Sequence, residues 1–423
     1  MLSETVEQVT LDKDAAAGGS SVLRSTAIRA LVAAESISTT GGQMTAVALP
    51  WFVLTTASAK QMSYVVAAEI AAYVICGIPA GSVIGRLGAR KTMILCDGLR
   101  APLMLLIPLL HLAGSLVFAE LLVIAFVLGA LTAPYSGAQR VITAELLSDD
   151  VGAVGQANAL FQGATRITLV AGPPLAGVLI GLIGATNVLV IDAATFAVAF
   201  FLVLLFVPAP RGRARREDEP TPKLLDGLRY LRRDRPLASF SGALVIGDGA
   251  FQVIFISLPV LVVAHYGGNA RLVGLFLGAW GGGAVVGNIA AYRLTRDGMP
   301  GRLIAALLLV QALPLFVLAL AVPAWVIGAA LGLSGLANGL VNPTIHSLLT
   351  LRPPVRVRPN VITAMFTASA LGAPAALLVA GPAFDAFGSR PVVACAVAFQ
   401  FLAVIWLGSA TIRLGRYGPP DDV

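Results

Sequence analysis

The sequence predicts an all-α polytopic membrane protein, with twelve transmembrane helices arranged as two pseudo-symmetric six-helix bundles. Three observations carry this. Of 423 residues, 57% are hydrophobic and only 12% charged, about half the charged fraction usual in a soluble domain. The apolar residues run continuously for about 20 positions at a time, the length a bilayer requires, and do not alternate with polar ones as barrel strands do. When those runs are threaded through a membrane, 26 of the 29 Lys and Arg residues fall on one side, which is the positive-inside pattern. A missed span would scatter the basic loops over both sides.

Composition also excludes other classes. A water-soluble enzyme with one compact core is incompatible with a mean hydropathy of +0.86. Cys76, Cys96 and Cys395 are odd in number and scattered in apolar runs. They read as free thiols, with neither a disulfide framework nor a zinc site. Three unevenly spaced histidines give no metal-ligand pattern. The net charge of +7 lies in short inter-helix loops, not on one soluble face, so no nucleic-acid partner is expected.

In chain order, residues 1–23 are polar and mixed in charge, and read as a disordered cytoplasmic tail. They lack the pattern of a removable signal peptide, so the first span serves as the insertion signal. The spans are 26–54, 63–85, 92–112, 116–138, 157–183 and 186–207, then 237–264, 271–293, 302–321, 324–350, 360–384 and 390–411. The N-terminal bundle is therefore 24–207 and the C-terminal bundle 237–411. Between them lies a basic cytoplasmic linker, 208–236, and residues 412–423 form a second cytoplasmic tail. Only Lys60, Arg271 and Arg390 remain outside. The expected location is a bacterial plasma (inner) membrane, multi-pass, with both termini cytoplasmic. The chain is expected to be monomeric, in contact with the lipid bilayer and a small-molecule substrate.

The halves read as copies. Gln43 and Leu49-Pro50 in span 1 recur as Gln252 and Leu258-Pro259 in span 7, at an offset of 209 residues that Pro134 and Pro343 share. Paired halves with interrupted helices are a transporter signature, with the site at the repeat interface.

The turn after span 2 reads Gly81-Ser-Val-Ile-Gly85-Arg86-Leu-Gly88-Ala-Arg90-Lys91. It resembles the signature between helices 2 and 3 of the major facilitator superfamily, matching at Gly81, Arg86, Gly88, Arg90 and Lys91. Gly85 stands where that signature has Asp. The resemblance implies a gating role for this segment, with Asp97 a candidate to replace the missing carboxylate. Span 5 carries Gly172-Pro173-Pro174 and Gly177, similar to the helix-5 Gly-Pro motif of the antiporter branch. Proline removes a backbone hydrogen bond and bends a helix, and glycine lets a second helix approach. Leu49-Pro50-Trp51, Asp97 with Arg100, Asp192-Ala and the stretch Leu228 to Arg233 resemble macrolide- and multidrug-efflux members more narrowly.

Ionisable residues in mid-membrane are costly, roughly 2.5–3.5 kcal/mol each on insertion scales, and mark functional sites. Glu35, Thr39 and Gln43 share one face of span 1. Asp248 and Gln252 do the same in span 7, where the repeat offset aligns Asp248 with Thr39. Glu35 and Asp248 are the proton-coupling candidates, and for Asp248 a structural hydrogen-bonding role competes with coupling. Arg166, in span 5, needs a carboxylate or an anionic substrate; an ion pair with Glu35 competes with a long side chain that snorkels to the cytoplasmic surface. Asn338, Asn342 and His346 share a face of span 10. With Phe255 they complete the candidate lining of a substrate cavity. Asp97 and Arg100 are spaced for a local ion pair at the cytoplasmic start of span 3. Arg140 closes span 4, where a gating contact competes with a solvated end. Glu69 is placed nearer the outer third of span 2, and Asp192 at the outer interface. For Trp51, Phe52, Phe251, Phe255 and Trp280, packing competes with a role in lining the cavity.

The function implied is secondary active export of hydrophobic or amphipathic small molecules, as in antibiotic and multidrug efflux, by proton-coupled antiport and alternating access. No cofactor is expected beyond the proton gradient. The near miss to a phosphate-binding loop at Gly85–Thr92 lacks the glycine before Lys91, and no enzyme motif is present. The alternatives are export of a siderophore or other metabolite, and a transport-dead membrane sensor.

Overall fold

The computed structural model describes residues 25–147, 150–209, 224–294, 299–354 and 357–414. The tail 1–23, residues 210–223 of the linker and residues 415–423 lie outside them. The N-terminal half is α1 (Thr26–Thr56), α2 (Ala59–Leu87), α3 (Ala89–Leu112), α4 (Phe118–Leu146), α5 (Val151–Ile183) and α6 (Ala185–Phe206). A short helix, α7 (Leu224–Arg233), leads into α8 (Arg235–His265), α9 (Ala270–Leu294) and α10 (Gly301–Ala312), which continues as a 3₁₀ turn over Leu313–Ala319. The chain then forms α11 (Ala324–Leu351), α12 (Arg358–Phe387) and α13 (Ser389–Leu414). Spans 1–6 are α1–α6, spans 7–9 are α8–α10, and spans 10–12 are α11–α13.

Eleven of these elements are long and apolar enough to cross a membrane. The twelfth, α1, is 31 residues long but carries the polar face of Glu35, Thr39 and Gln43. It packs on α5 and α6, which removes that face from lipid. Leu182, Phe201 and Leu205 stay exposed on the outside of the bundle, as lipid contact allows and water would not.

Local chemistry sets the helix ends. Ser25, Ser58, Asp150 and Asp234 each accept a backbone N–H of the following turn, the usual N-cap role. Gly88 and Gly184 have φ of +82° and +83°, a region open to glycine at no steric cost, so α2–α3 and α5–α6 reverse direction on a single residue.

The pairing pattern repeats. In the first half α1 packs on α5 and α6, α2 on α4, and α3 on α6. In the second, α8 packs on α12 and α13, α9 on α11, and α10 on α13. This is the two-fold relation expected of the halves. They meet along two seams, α5 on α9 and α2 on α12. Both seams lie towards the end carrying Ser58, Gly184 and Gly388, called here the Ser58 end. A Cβ on Gly274 would lie 2.5 Å from Pro173 O, and one on Gly381 would lie 3.2 Å from Lys60 O. Towards the opposite, Ser25 end, Arg166, Asp248 and Asn342 are exposed. The molecule is closed at the Ser58 end and open at the Ser25 end.

The region read as a linker contains α7. Its residues Gly227, Tyr230, Leu231 and the following Asp234 are buried, a helical i, i+3, i+4, i+7 pattern. Asp234 also accepts two bonds from Arg352, the residue just after α11, at 2.8 and 3.1 Å.

Candidate functional site

A cavity of about 610 Å³ lies between the halves. From α1 it is lined by Glu35, Thr39, Gln43 and Pro50, and from α8 by Gln252, Phe255 and Pro259. The duplicated Gln and Pro positions thus line one space. On the α8–α9 side the wall is aromatic, with Phe255 and Trp280 ring centroids 5.1 Å apart; Phe251 packs behind, 4.3 Å from Phe255. Trp51 and Phe52 are core residues instead.

The opposite wall is electrostatic. Arg100 of α3 is 4% exposed and lies 3.6 Å from Asp97, which is fully buried. The expected local pair therefore exists, but eight residues beyond the first residue of α3, about 12 Å along it, and not at a solvated helix start. That depth removes Asp97 from the place of the missing loop carboxylate. The Arg100 guanidinium lies over the rings of Tyr135 at 4.8 Å and Phe196 at 5.4 Å, a favourable desolvated cation–π arrangement. Glu35, Glu69 and Asp192 all lie within its electrostatic reach. Glu35 accepts a bond from Thr39 at 3.3 Å. Among the described residues both Asp97 oxygens are buried with no hydrogen-bond partner, and the Tyr135 hydroxyl faces the Glu35 carboxyl. Four carboxyl groups thus gather around one guanidinium.

Asp192 corrects the expectation of an interfacial residue. It is fully buried, accepts Thr45 at 2.6 Å and Thr195 at 3.0 Å, and packs on Gly41. A Cβ on Gly41 would lie 2.1 Å from Asp192 Oδ1, so that glycine makes the space the carboxylate occupies. Glu69 lies where expected, ten residues beyond the first of the 29 in α2 and so at the edge of its outer third, and lines the cavity.

The Glu35–Arg166 pair does not form. Arg166 is exposed on α5, outside the cavity lining, and the cation beside Glu35 is Arg100. Asp248 is exposed towards the open end and accepts a hydrogen bond from Ser369 of α12. With Asn338, Asn342, Gln311 and Gln400 it lines a second cavity of about 240 Å³, which shares Trp280 with the first. His346 stacks on Phe366 at 5.7 Å, apart from that lining.

The signature turn is divided in role. Gly81, Gly85, Arg86 and Lys91 are exposed, as is Arg140 at the end of α4. Arg90 instead donates to Val207 O at 2.5 Å and Leu204 O at 2.8 Å, satisfying carbonyls at the C-terminus of α6, where a cation is favoured. Arg90→Ala is expected to lower stability by about 1–2 kcal/mol, read as a lower thermal midpoint in detergent. An unchanged midpoint would rule out a capping role. The Gly-Pro segment of α5 forms both a wall and a seam. Gly172 admits Gln43 of α1, while Pro173, Pro174 and Gly177 bear on Gly274 and Gly278 of α9.

The family model of the Major Facilitator Superfamily matches residues 31–377. The chain belongs to the Major Facilitator Superfamily. It is therefore a multi-pass membrane transporter and not an enzyme. Similar proteins include "Multidrug efflux pump Tap" of Mycobacterium tuberculosis, 24% identical over 388 residues and covering 88% of this chain and 90% of that one. The Tap pump of Mycolicibacterium fortuitum is 22% identical over 358 residues, covering 82% and 87%. Among solved structures, a bacterial homolog of the human lysosomal transporter Spinster, inward-facing and unoccupied, superposes with a TM-score of 0.73 at 14% identity, covering 94% of this chain and 98% of that one. The nucleoside transporter NupG gives 0.70 at 13% identity, covering 92% and 99%. At such identities these superfamily structures share the fold alone.

Proposed function

We propose that this transporter exports hydrophobic or amphipathic small molecules in exchange for protons, by alternating access, from a bacterial plasma membrane in which both termini are cytoplasmic. The observation that carries the reading is the main cavity, where an aromatic wall from the second half faces the carboxyl–Arg100 cluster of the first. Aromatic and apolar lining suits large apolar ligands. Four carboxyl groups against one fixed cation, with Asp97 and Asp192 buried and Glu35 and Glu69 half-buried, form a costly arrangement, and one that proton uptake or release relieves. The positive-inside pattern supports a cytoplasmic Ser25 end, from which the open cavity would receive its substrate. The relatives named multidrug efflux pumps support the same direction. The coupling group in this reading is Glu35, since it faces both Arg100 and the cavity, whereas Asp248 belongs to the carboxamide-lined second cavity.

Efflux of a panel of antibiotics and lipophilic dyes from cells expressing the protein, with and without a protonophore, tests the proposal. Protonophore-sensitive efflux, lost in Glu35→Gln and retained in Asp248→Asn at equal expression, is expected. Loss in Asp248→Asn with retention in Glu35→Gln would move coupling to the second half. Efflux insensitive to the protonophore would overturn proton exchange.

A further inference from the structure

The helix α7 has an exposed face that the transport reading does not use. Its inner face is firmly docked. A Cβ on Gly227 would lie 2.1 Å from Asn360 O and 2.8 Å from the Ala364 side chain, so α7 rests directly on the α12 backbone. Tyr230 and Leu231 enter a core cluster shared with α8, α10, α11, α12 and α13. The buried Asp234–Arg352 pair, with side chains 1% and 9% exposed, fixes the joint between α7 and α8. The outward face is thereby held rigid. On it stand Leu228, Arg229 and Arg232, all exposed, at i, i+1 and i+4, and so on one side of the helix; Arg235, also exposed, opens α8 just beyond the non-helical Asp234. Arg233 is exposed beside them. One acid, Asp226, is near and bonds Arg229 at 3.2 Å.

We propose that this face is a binding site for the headgroup of an anionic phospholipid. Three features select a lipid over a free phosphate ion. The arginines present planar donor forks, which suit phosphate oxygens. The exposed Leu228 lies among them, and a cation-rich face with an apolar side chain is the pattern of a helix lying in the membrane interface. The helix also sits at the open end of the bundle, where α8 begins, at the level at which a bundle of this length leaves the hydrocarbon. Because α7 bears on α12, and α12 forms one of the two seams between the halves, a lipid held here acts on a helix that must move when the seams exchange. Juxtamembrane basic residues gain affinity for anionic leaflets additively.

The full-length protein in a neutral detergent is titrated with dihexanoyl phosphatidylglycerol, dihexanoyl phosphatidylcholine or glycerol phosphate, and its thermal midpoint is followed. Phosphatidylglycerol alone is expected to raise the midpoint, in a saturable way. Each of Arg229→Gln, Arg232→Gln and Arg235→Gln should weaken its apparent affinity about fivefold, with the lipid-free midpoint unchanged. Leu228→Gln keeps every charge and tests the apolar contact separately: it should weaken phosphatidylglycerol and leave the response to glycerol phosphate unaltered. An equal midpoint rise with phosphatidylcholine would overturn the proposal. So would an equal rise with glycerol phosphate, or full phosphatidylglycerol affinity in the arginine variants. None of these outcomes bears on the efflux experiment, so the two readings stand or fall separately.

Discussion

Arg100→Leu is expected to abolish transport and to cost about 3–5 kcal/mol of stability, the range for removing one partner of a buried ion pair. Asp97 is fully buried and its oxygens have no hydrogen-bond partner among the described residues, so the guanidinium 3.6 Å away is the compensation it has there. The stacking of Arg100 between Tyr135 and Phe196 is lost as well. Arg100→Lys keeps the charge but not the planar contact on two rings, and should fall between wild type and Arg100→Leu. Asp97→Asn combined with Arg100→Leu removes both charges, and should recover part of the thermal stability while leaving transport dead. Thermal midpoints in detergent and dye efflux in cells separate these effects. Full stability in Arg100→Leu would mean that the cluster is not held together by its cation.

Gly274→Leu should abolish transport by a different route, with each half still folded. The added Cβ meets Pro173 O at 2.5 Å and the Gly177 Cα at 3.0 Å, both in the opposite half. Neither is a flexible chain end, so the strain is relieved by parting the seam. Overpacking of this kind costs about 1–3 kcal/mol, which shifts a two-state equilibrium between closed and parted seams by roughly 5- to 150-fold. Cysteine accessibility from the Ser58 end, probed at a position introduced on the cavity wall, should rise accordingly. Gly339→Val makes the contrasting case. Its Cβ would lie 2.0 Å from Ala284 O, on a seam within one half that has no parted state to adopt, so it should lose folded protein instead of changing accessibility. If Gly274→Leu also unfolds, the α5–α9 seam is structural and does not open.

Much of the architecture was legible in the sequence. Continuous apolar runs and one-sided lysine and arginine gave the spans, because bilayer thickness and loop charge act on each segment separately. Gln43 and Gln252 showed the duplication, and the Asp97–Arg100 pair could be read from its i, i+3 spacing. What escaped reading was contact between distant residues. Asp192 is set by Gly41, 151 positions away, and the absence of a side chain leaves no sequence signal of what fills its place. Its depth was a usable clue, since a residue seven beyond the first of α6 lies about 10 Å along that helix and is too deep for an interface. The Glu35–Arg166 pair was inferred from similar depth alone, and depth does not fix the direction a helix face points. Glu35 turns towards Arg100, while Arg166 faces the open end. The helix α7 was hidden by its charge. Its buried residues repeat with helical spacing, but four arginines between 229 and 235 made the segment resemble a solvated loop.

The central claim is that substrate export is tied to proton movement through the Glu35–Arg100 cluster. It is tested most directly in inverted membrane vesicles carrying the purified protein, energised to an acidic interior and monitored with a pH-sensitive dye. Adding a substrate dye identified in the efflux panel should release protons from the wild type and from Asp248→Asn, but not from Glu35→Gln. Substrate uptake without proton release in the wild type, or proton release preserved in Glu35→Gln, would contradict it.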